Sequence, residues 1–215
     1  MSPHLSIGTT PVLVAIVGGS GSGKTWLAGK LEKALAPNAL RISLDDFYSD
    51  RSYLPPARRA RINFDHPRAI DWQRLMKVLK GLSVGRATRV PCYDFKTHCR
   101  VPRWKIVKPK PIIIVEGLWV LRLASIRRLL SLSIFLQAPR RARLRRRIIR
   151  DLATRGRTLE SIRQQFFTAV EPMHERYVVP QADLADVVLR KRCGVREIRR
   201  LGKMLRGYLK GGKQL

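Results

Sequence analysis

An α/β fold, with a parallel sheet flanked by helices, is predicted by three observations. An unbroken apolar run at residues 12–17 (VLVAIV) meets a glycine-rich turn and then an amphipathic segment. Such a run reads as a strand buried on both faces. Further along, apolar runs of strand length alternate with segments of helical period, the pattern of a sheet with crossover helices. Finally, 45% of the 215 residues are hydrophobic, which is enough for a substantial core. That length suits one domain over residues 1–215.

Each element follows from its local pattern. Strand 12–17 leads into a helix over 24–35, whose apolar face carries Leu27, Leu31, Ala34 and Leu35. Residues 39–44 read as the second strand, and 51–67 as a long basic loop containing prolines. Trp72, Leu75, Met76 and Leu79 form a helical stripe that Gly81 is expected to end. Residues 88–95 and 104–107 read as short antiparallel strands of an excursion over about 84–107. Runs 111–115 and 132–136 return to the buried sheet. A helix over 140–152 is expected to bury Leu144, Ile148, Ile149 and Leu152, with Arg143, Arg147 and Arg150 on a different face. Leu159, Ile162, Phe166 and Val170 mark another helix, disturbed at Pro172. An edge strand at 186–189 and a closing helix at 195–209 complete the chain, with linker-like composition only at the two ends.

The turn after the first strand reads Gly18-Gly19-Ser20-Gly21-Ser22-Gly23-Lys24-Thr25, a G-x-x-x-x-G-K-[ST] phosphate loop in its proper strand-to-helix context. Desolvated phosphates need donors in place of water, and consecutive backbone N–H groups supply them. The following helix adds the positive end of its dipole. Lys24 can reach the β- and γ-phosphates, and the Thr25 hydroxyl can ligate Mg²⁺. A nucleoside triphosphate and Mg²⁺ are therefore the expected cofactors.

Other residues bear on the acceptor. Asp45 and Asp46 follow the second strand, where a carboxylate can take a proton from an attacking hydroxyl or simply cap a turn. Glu116 ends the strand IIIVE beside the loop, placed for Mg²⁺ or for a structural hydrogen-bonded role. Tyr93, Asp94, Phe95, His98 and Arg100 cluster in the excursion, where rings can stack on a planar base and His or Arg can read its edge.

Composition narrows the classes. No apolar run approaches the ~18 residues of a membrane span, so no membrane role is expected. No basic-then-apolar secretory leader is read at the N-terminus, and three cysteines suit reduced thiols in a cytoplasmic protein. With 44 Lys and Arg against 15 Asp and Glu, the formal charge is +29. Residues 140–157 hold nine arginines and one acid, and residues 190–210 hold nine basic residues and one acid. Such a field leaves nucleic acid open as a partner, beside a triphosphate grip and a solvated basic face.

The pieces together resemble the uridine kinase (uridine–cytidine kinase) family of P-loop kinases. They are GGSGSGKT at 18–25, SLDDFY at 43–48, NFDHPRAID at 63–71 and PCYDFKTHCR at 91–100, then IIIVEG at 112–117, RRIIRDLATRGR at 146–157 and PMHERYVVPQADLADVVL at 172–189. They occur in family order over about residues 12–190. The resemblance implies a P-loop NTPase fold with a β-hairpin excursion, an arginine-rich lid at about 140–160, and transfer of phosphate from ATP or GTP to the 5′-hydroxyl of uridine or cytidine. It implies Asp45 as catalytic base, with Lys24 and Mg²⁺ neutralising the transferred phosphate. Tyr48 would shape the pocket, Asp65 would hold ribose hydroxyls, and Tyr93, Phe95 and His98 would embrace the pyrimidine. Arg147, Arg150 and Arg157 would line the lid, Gln165 would touch the nucleoside, and Thr25 and Glu116 would serve Mg²⁺. Homo-tetramers are common in the family. The runner-up readings are a kinase for another small alcohol, such as a sugar phosphate, and a nucleotide-regulated nucleic-acid-binding protein. The chain departs from the pattern in its excess charge, in Trp26 after the loop, and in a basic tail at about 190–215 that matches no motif.

Overall fold

A computed structural model describes residues 10–190 and 193–209; residues 1–9 and the last part of the basic tail, 210–215, lie outside the described residues. In chain order the elements are β1 (Val12–Gly18), α1 (Lys24–Ala34), β2 (Ala39–Ser43), α2 (Pro56–Ala60), α3 (Trp72–Ser83), β3 (Thr88–Asp94), β4 (Cys99–Val107) and β5 (Ile112–Gly117). There follow α4 (Ala124–Arg127), β6 (Leu132–Leu136), α5 (Arg140–Thr154), α6 (Leu159–Gln165), α7 (Glu171–Met173), β7 (Val187–Leu189) and α8 (Val195–Leu209). Five strands form one parallel sheet in the order β2-β5-β1-β6-β7, while β3 and β4 pair antiparallel as a separate hairpin.

The two faces of the sheet bury alternate residues of each strand. On one face Leu13, Ala15, Val17, Ile113 and Val115 pack with Leu75, Val78, Leu79 and Leu82 of α3. On the other, Val14, Ile16, Ile112 and Ile114 pack with Leu27, Ala28 and Leu31 of α1 and Leu201 and Leu205 of α8. No helix among the described residues is long and apolar enough to cross a membrane.

Several elements depart from the sequence pattern; β4, for one, begins at Cys99 rather than at 104. The loop at 51–67 contains the short helix α2. Helix α3 starts on Asp71, whose side chain accepts from the Arg74 N–H at 3.0 Å, but Gly81 does not end it. Gly85 does, at φ 76°, with its own N–H bonded to Leu82 O and the Arg86 N–H bonded to Gly81 O. That pair of bonds is a Schellman closure, and it needs glycine at the left-handed position. Gly81 instead lets α3 approach β3, since a Cβ there would sit 2.6 Å from Thr88 Cγ2. The expected disturbance at Pro172 is present as wide π-type turns at Phe166–Val170 and His174–Val178, which loosen the ladder around the missing N–H while the chain stays helical.

Helix α5 overturns the expected stripe. Its buried residues are Arg143, Arg147 and Asp151, whereas Ile149 is 60% and Leu152 48% exposed. The charged side faces inward because its partners are charged: Arg143 donates to both oxygens of Glu171 at 2.8 Å.

Candidate active site

The parallel register delivers the first residues. Ser43 of β2 and Ile16 of β1 both pair with Glu116 of β5, so the carboxyl ends of three strands meet beside the loop. Glu116 is 1% exposed. Thr25 Oγ1 donates to its Oε2 and Ser43 Oγ to its Oε1, each at 3.1 Å. Burial pushes the Glu116 carboxyl above its ordinary pKa, Lys24 pulls it down, and nearby Asp45 pushes it up again. Lys24 itself is only 7% exposed. A hard cation with oxygen ligands fits this set: Thr25 and Glu116 would hold Mg²⁺, with phosphate and water supplying the rest. The expected metal residues are therefore brought together.

The loop is gripped from outside. Gly21 takes φ 77°, and a Cβ there would collide with the Arg143 carbonyl. Arg146 Nη1 donates to Gly21 O at 3.0 Å and Ser22 O at 2.9 Å, and Arg147 Nη1 donates to Ser20 Oγ at 3.0 Å. The loop's carbonyls are turned toward α5. The first N–H groups of α1 have no partner within the helix and remain available for an anion.

Beside the loop lies one pocket. It is lined by Ser20 and Lys24, by Asp45, Tyr48 and Asp65, by Tyr93, Phe95 and His98, and by Arg147, Arg150, Arg157 and Gln165. Every residue that the resemblance places on the acceptor side is in this lining, but Asp46, Asp94 and Arg100 are not: Arg100 pairs with Asp71 at 2.9 Å, and Asp94 accepts from the Lys96 N–H and the Thr97 hydroxyl. Phe64, Leu118 and Arg155 line it too and were missed by the sequence reading. Tyr48 donates to Phe64 O at 3.0 Å, and its ring lies 5.1 Å from that of Tyr93, which lies 5.3 Å from that of Phe95. His98, at φ 55°, stacks flat on Phe64 with centroids 4.3 Å apart. Burial and the charges of Arg157 and Arg155 lower the His98 pKa, so its ring is neutral at pH 7. A neutral imidazole offers one donor and one acceptor to a base edge.

The fourth wall is built around Asp151, which is fully buried. Arg147, Arg150, Arg155 and Arg157 approach it at 3.3, 2.8, 3.5 and 4.0 Å. Burial would raise the Asp151 pKa, but the Arg150 hydrogen bond and the charges of Arg150, Arg155 and Arg147 outweigh it and hold it low. Arg147 also lies 3.7 Å from Asp65, and Gln165 accepts from both Arg147 and Arg157. Arg155 spreads its guanidinium over Phe95 at 4.6 Å. Two carboxylates against four guanidiniums leave a positive excess, the arrangement that receives a phosphate. These side chains occupy most of the pocket, leaving about 40 Å³ of free space. A second cavity of about 550 Å³ flanks the loop on its other side, lined by Trp26, Pro139, Ala142, Arg146, Arg190 and Cys193 among others.

Comparison with known proteins agrees with this geometry. The model of the Phosphoribulokinase / Uridine kinase family matches residues 13–198. The uridine kinase of Brevibacillus brevis is 40% identical over 180 residues, covering 83% of this chain and 84% of the relative. The uridine kinase of Clostridium novyi is 38% identical over 180 residues, covering 83% and 86%. Among solved structures, phosphoribulokinase from Rhodobacter spheroides superposes with a TM-score of 0.64 at 18% identity, covering 84% of this chain and 70% of that one, a likeness of fold.

Proposed function

This chain belongs to the phosphoribulokinase/uridine kinase family, and we propose that it transfers the terminal phosphoryl group of ATP or GTP to the 5′-hydroxyl of uridine or cytidine. It is a P-loop kinase of the uridine kinase kind. The observation that carries the substrate assignment is the shared pocket. A phosphate loop with Lys24 stands at one end, and an aromatic wall with a neutral His98 stands at the other. Asp45 lies in the same lining.

The chemistry follows from position. The nucleoside base packs among Tyr93, Phe95 and His98, and Asp65 takes ribose hydroxyls in place of its long contact with Arg147. Asp45 orients the 5′-hydroxyl and accepts its proton as the oxygen attacks the terminal phosphorus and the bond to the bridging oxygen breaks. Lys24 and the lid arginines neutralise charge on the transferred group; in-line positioning and charge stabilisation supply most of the acceleration. Bound Mg²⁺ would add charge neutralisation, held by Thr25 and Glu116. The donor's base is assigned to the cavity beside Trp26. Because little free space remains, nucleoside entry requires the arginine side chains to swing outward.

A kinase for a sugar phosphate would share the loop and Asp45 but has no use for stacked rings. Thermal shift separates the two. Uridine or cytidine, with Mg²⁺ and a non-hydrolysable triphosphate, should raise the melting temperature where ribose 5-phosphate does not. The reverse order removes the nucleoside assignment. Asp45→Ala should lower turnover at least ~10²-fold with the melting temperature unchanged; near-normal turnover removes Asp45 as the base.

A further inference from the structure

A second basic site lies outside the kinase pocket. Helix α3 and the hairpin β3–β4 enclose a groove of about 790 Å³. One wall carries Arg74, Lys77 and Lys80 of α3, and the other carries Arg86, Arg89 and Trp104. Lys77, Lys80, Arg86 and Arg89 are exposed and make no ion pair among the described residues; Arg74 alone has a carboxylate, Asp71. Trp104 is flanked by the guanidiniums of Arg74 at 4.8 Å and Arg89 at 5.5 Å from its ring. Cation–π contact with the indole restrains both guanidiniums, and Arg89, which has no carboxylate partner among the described residues, keeps its N–H donors for phosphate oxygens.

We propose that this groove binds single-stranded nucleic acid by its phosphate backbone. Three features favour an extended polyanion. Cations line both walls, and no carboxylate lines the groove among the described residues. They are also spread lengthwise: Arg74, Lys77 and Lys80 recur every third residue, about 9 Å from first to last at 1.5 Å per residue. Opposite them, Arg89 lies in β3 and Arg86 just before it, where its N–H closes the end of α3. Cations spread along both walls in this way match a run of successive phosphates better than a single compact anion. A second copy of this chain is a poor occupant, because two such faces would oppose like charges. None of these residues lines the kinase pocket, so the site is independent of the proposed phosphoryl transfer.

The groove also gives a place to charge that phosphoryl transfer leaves unused. Of the +29, the lid accounts for only part, and the exposed basic face of α8 is a rival location for any polyanion. The decisive comparison is therefore between the groove and α8 at equal charge. Fluorescence anisotropy with labelled oligo(A) is measured on the full chain across a salt series. Oligo(A) is chosen because its bases are not pyrimidines. Lys77→Glu with Lys80→Glu alters the groove; Arg199→Glu with Lys203→Glu alters α8 by the same charge. The groove variant should lose at least about tenfold in affinity, and its slope of log affinity on log salt should shrink by about 1.4, two phosphates at ~0.7 each. The α8 variant should lose much less, and both should keep wild-type kinase turnover and melting temperature. Equal losses from the two variants would mean a diffuse basic field and overturn the groove. Displacement of oligo(A) by inorganic triphosphate at matched phosphate concentration would mean a small-anion site, and overturn it as well.

Discussion

The loop at residues 18–25 and the helix α5 pressed against it differ in what they bury. Behind the loop, β1 buries Leu13 to Val17 against apolar neighbours on both faces, and the loop itself is shaped by glycine backbone. Helix α5 buries two arginines and an aspartate, and leaves Ile149 and Leu152 in solvent. The donor cradle is therefore a matter of backbone geometry resting on a hydrophobic sheet. Helix α5 is a matter of side-chain charge, held by ion pairs with Asp151, Glu171 and Asp65.

The contrast is most exposed at Asp151. Removing it leaves Arg147 buried beside other guanidiniums without its nearest carboxylate. Asp151→Ala should destabilise the protein by about 3–5 kcal/mol, the cost of breaking a buried ion pair from one side. Urea unfolding measures this, and a loss within about 0.5 kcal/mol would mean the lid is not held by charge. Because the Asp151 pKa is depressed in the folded state, its contribution is present above the ordinary carboxylate range. It is lost as pH falls below about 4 and through the folded value.

On the loop side, Gly21→Ala should cost about 1–3 kcal/mol through backbone strain, with a further loss from collision with the Arg143 carbonyl. Triphosphate binding should weaken with it, read by titration calorimetry. Unchanged affinity would mean that contact between loop and lid does not shape the cradle.

His174 sharpens the comparison where the two regions touch. It lies against Gly19, and a Cβ on that glycine would come within 2.6 Å of its Nδ1. Burial and the Arg143 charge lower its pKa to about 4. A histidine held neutral in the fold and charged when unfolded costs stability as pH drops from about 6.5 toward 4. His174→Asn should flatten the pH dependence of stability over that window; an unchanged profile would remove His174 as its source.

The smallest effect is the most pointed. Ile149→Ser should change stability by no more than about 0.5 kcal/mol, as for an ordinary surface site. A loss of several kcal/mol would restore the apolar stripe that helical spacing predicts and reverse the picture of α5.

Legibility in the sequence divides along the same line. β1, the loop and α1 were readable because each rests on local rules: an apolar run, glycines at a turn, a helix start. Asp45, Tyr93, Phe95 and His98 were readable from strand-end position and aromatic chemistry, and Tyr48, Asp65, Arg147, Arg150, Arg157 and Gln165 only through resemblance; all of these line the pocket, while Asp46, Asp94 and Arg100 do not. Apolar spacing on α5 misled because periodicity counts hydrophobic residues and does not see Glu171, which arrives from 28 residues away and makes burial of Arg143 favourable. The i,i+4 pairs of Asp151 with Arg147 and Arg155 were present in the sequence as a signal. Their burial depends on tertiary packing. Phe64 and Arg155 were missed for a related reason, since each acquires its role by stacking on a ring, His98 or Phe95, from another part of the chain.

Phosphoryl transfer to a nucleoside panel tests the central claim most directly. With Mg²⁺ and ATP or GTP, uridine and cytidine should be converted to their 5′-monophosphates far faster than purine ribonucleosides or ribose 5-phosphate. A protein that phosphorylates a sugar phosphate and leaves both pyrimidine ribonucleosides untouched would contradict it.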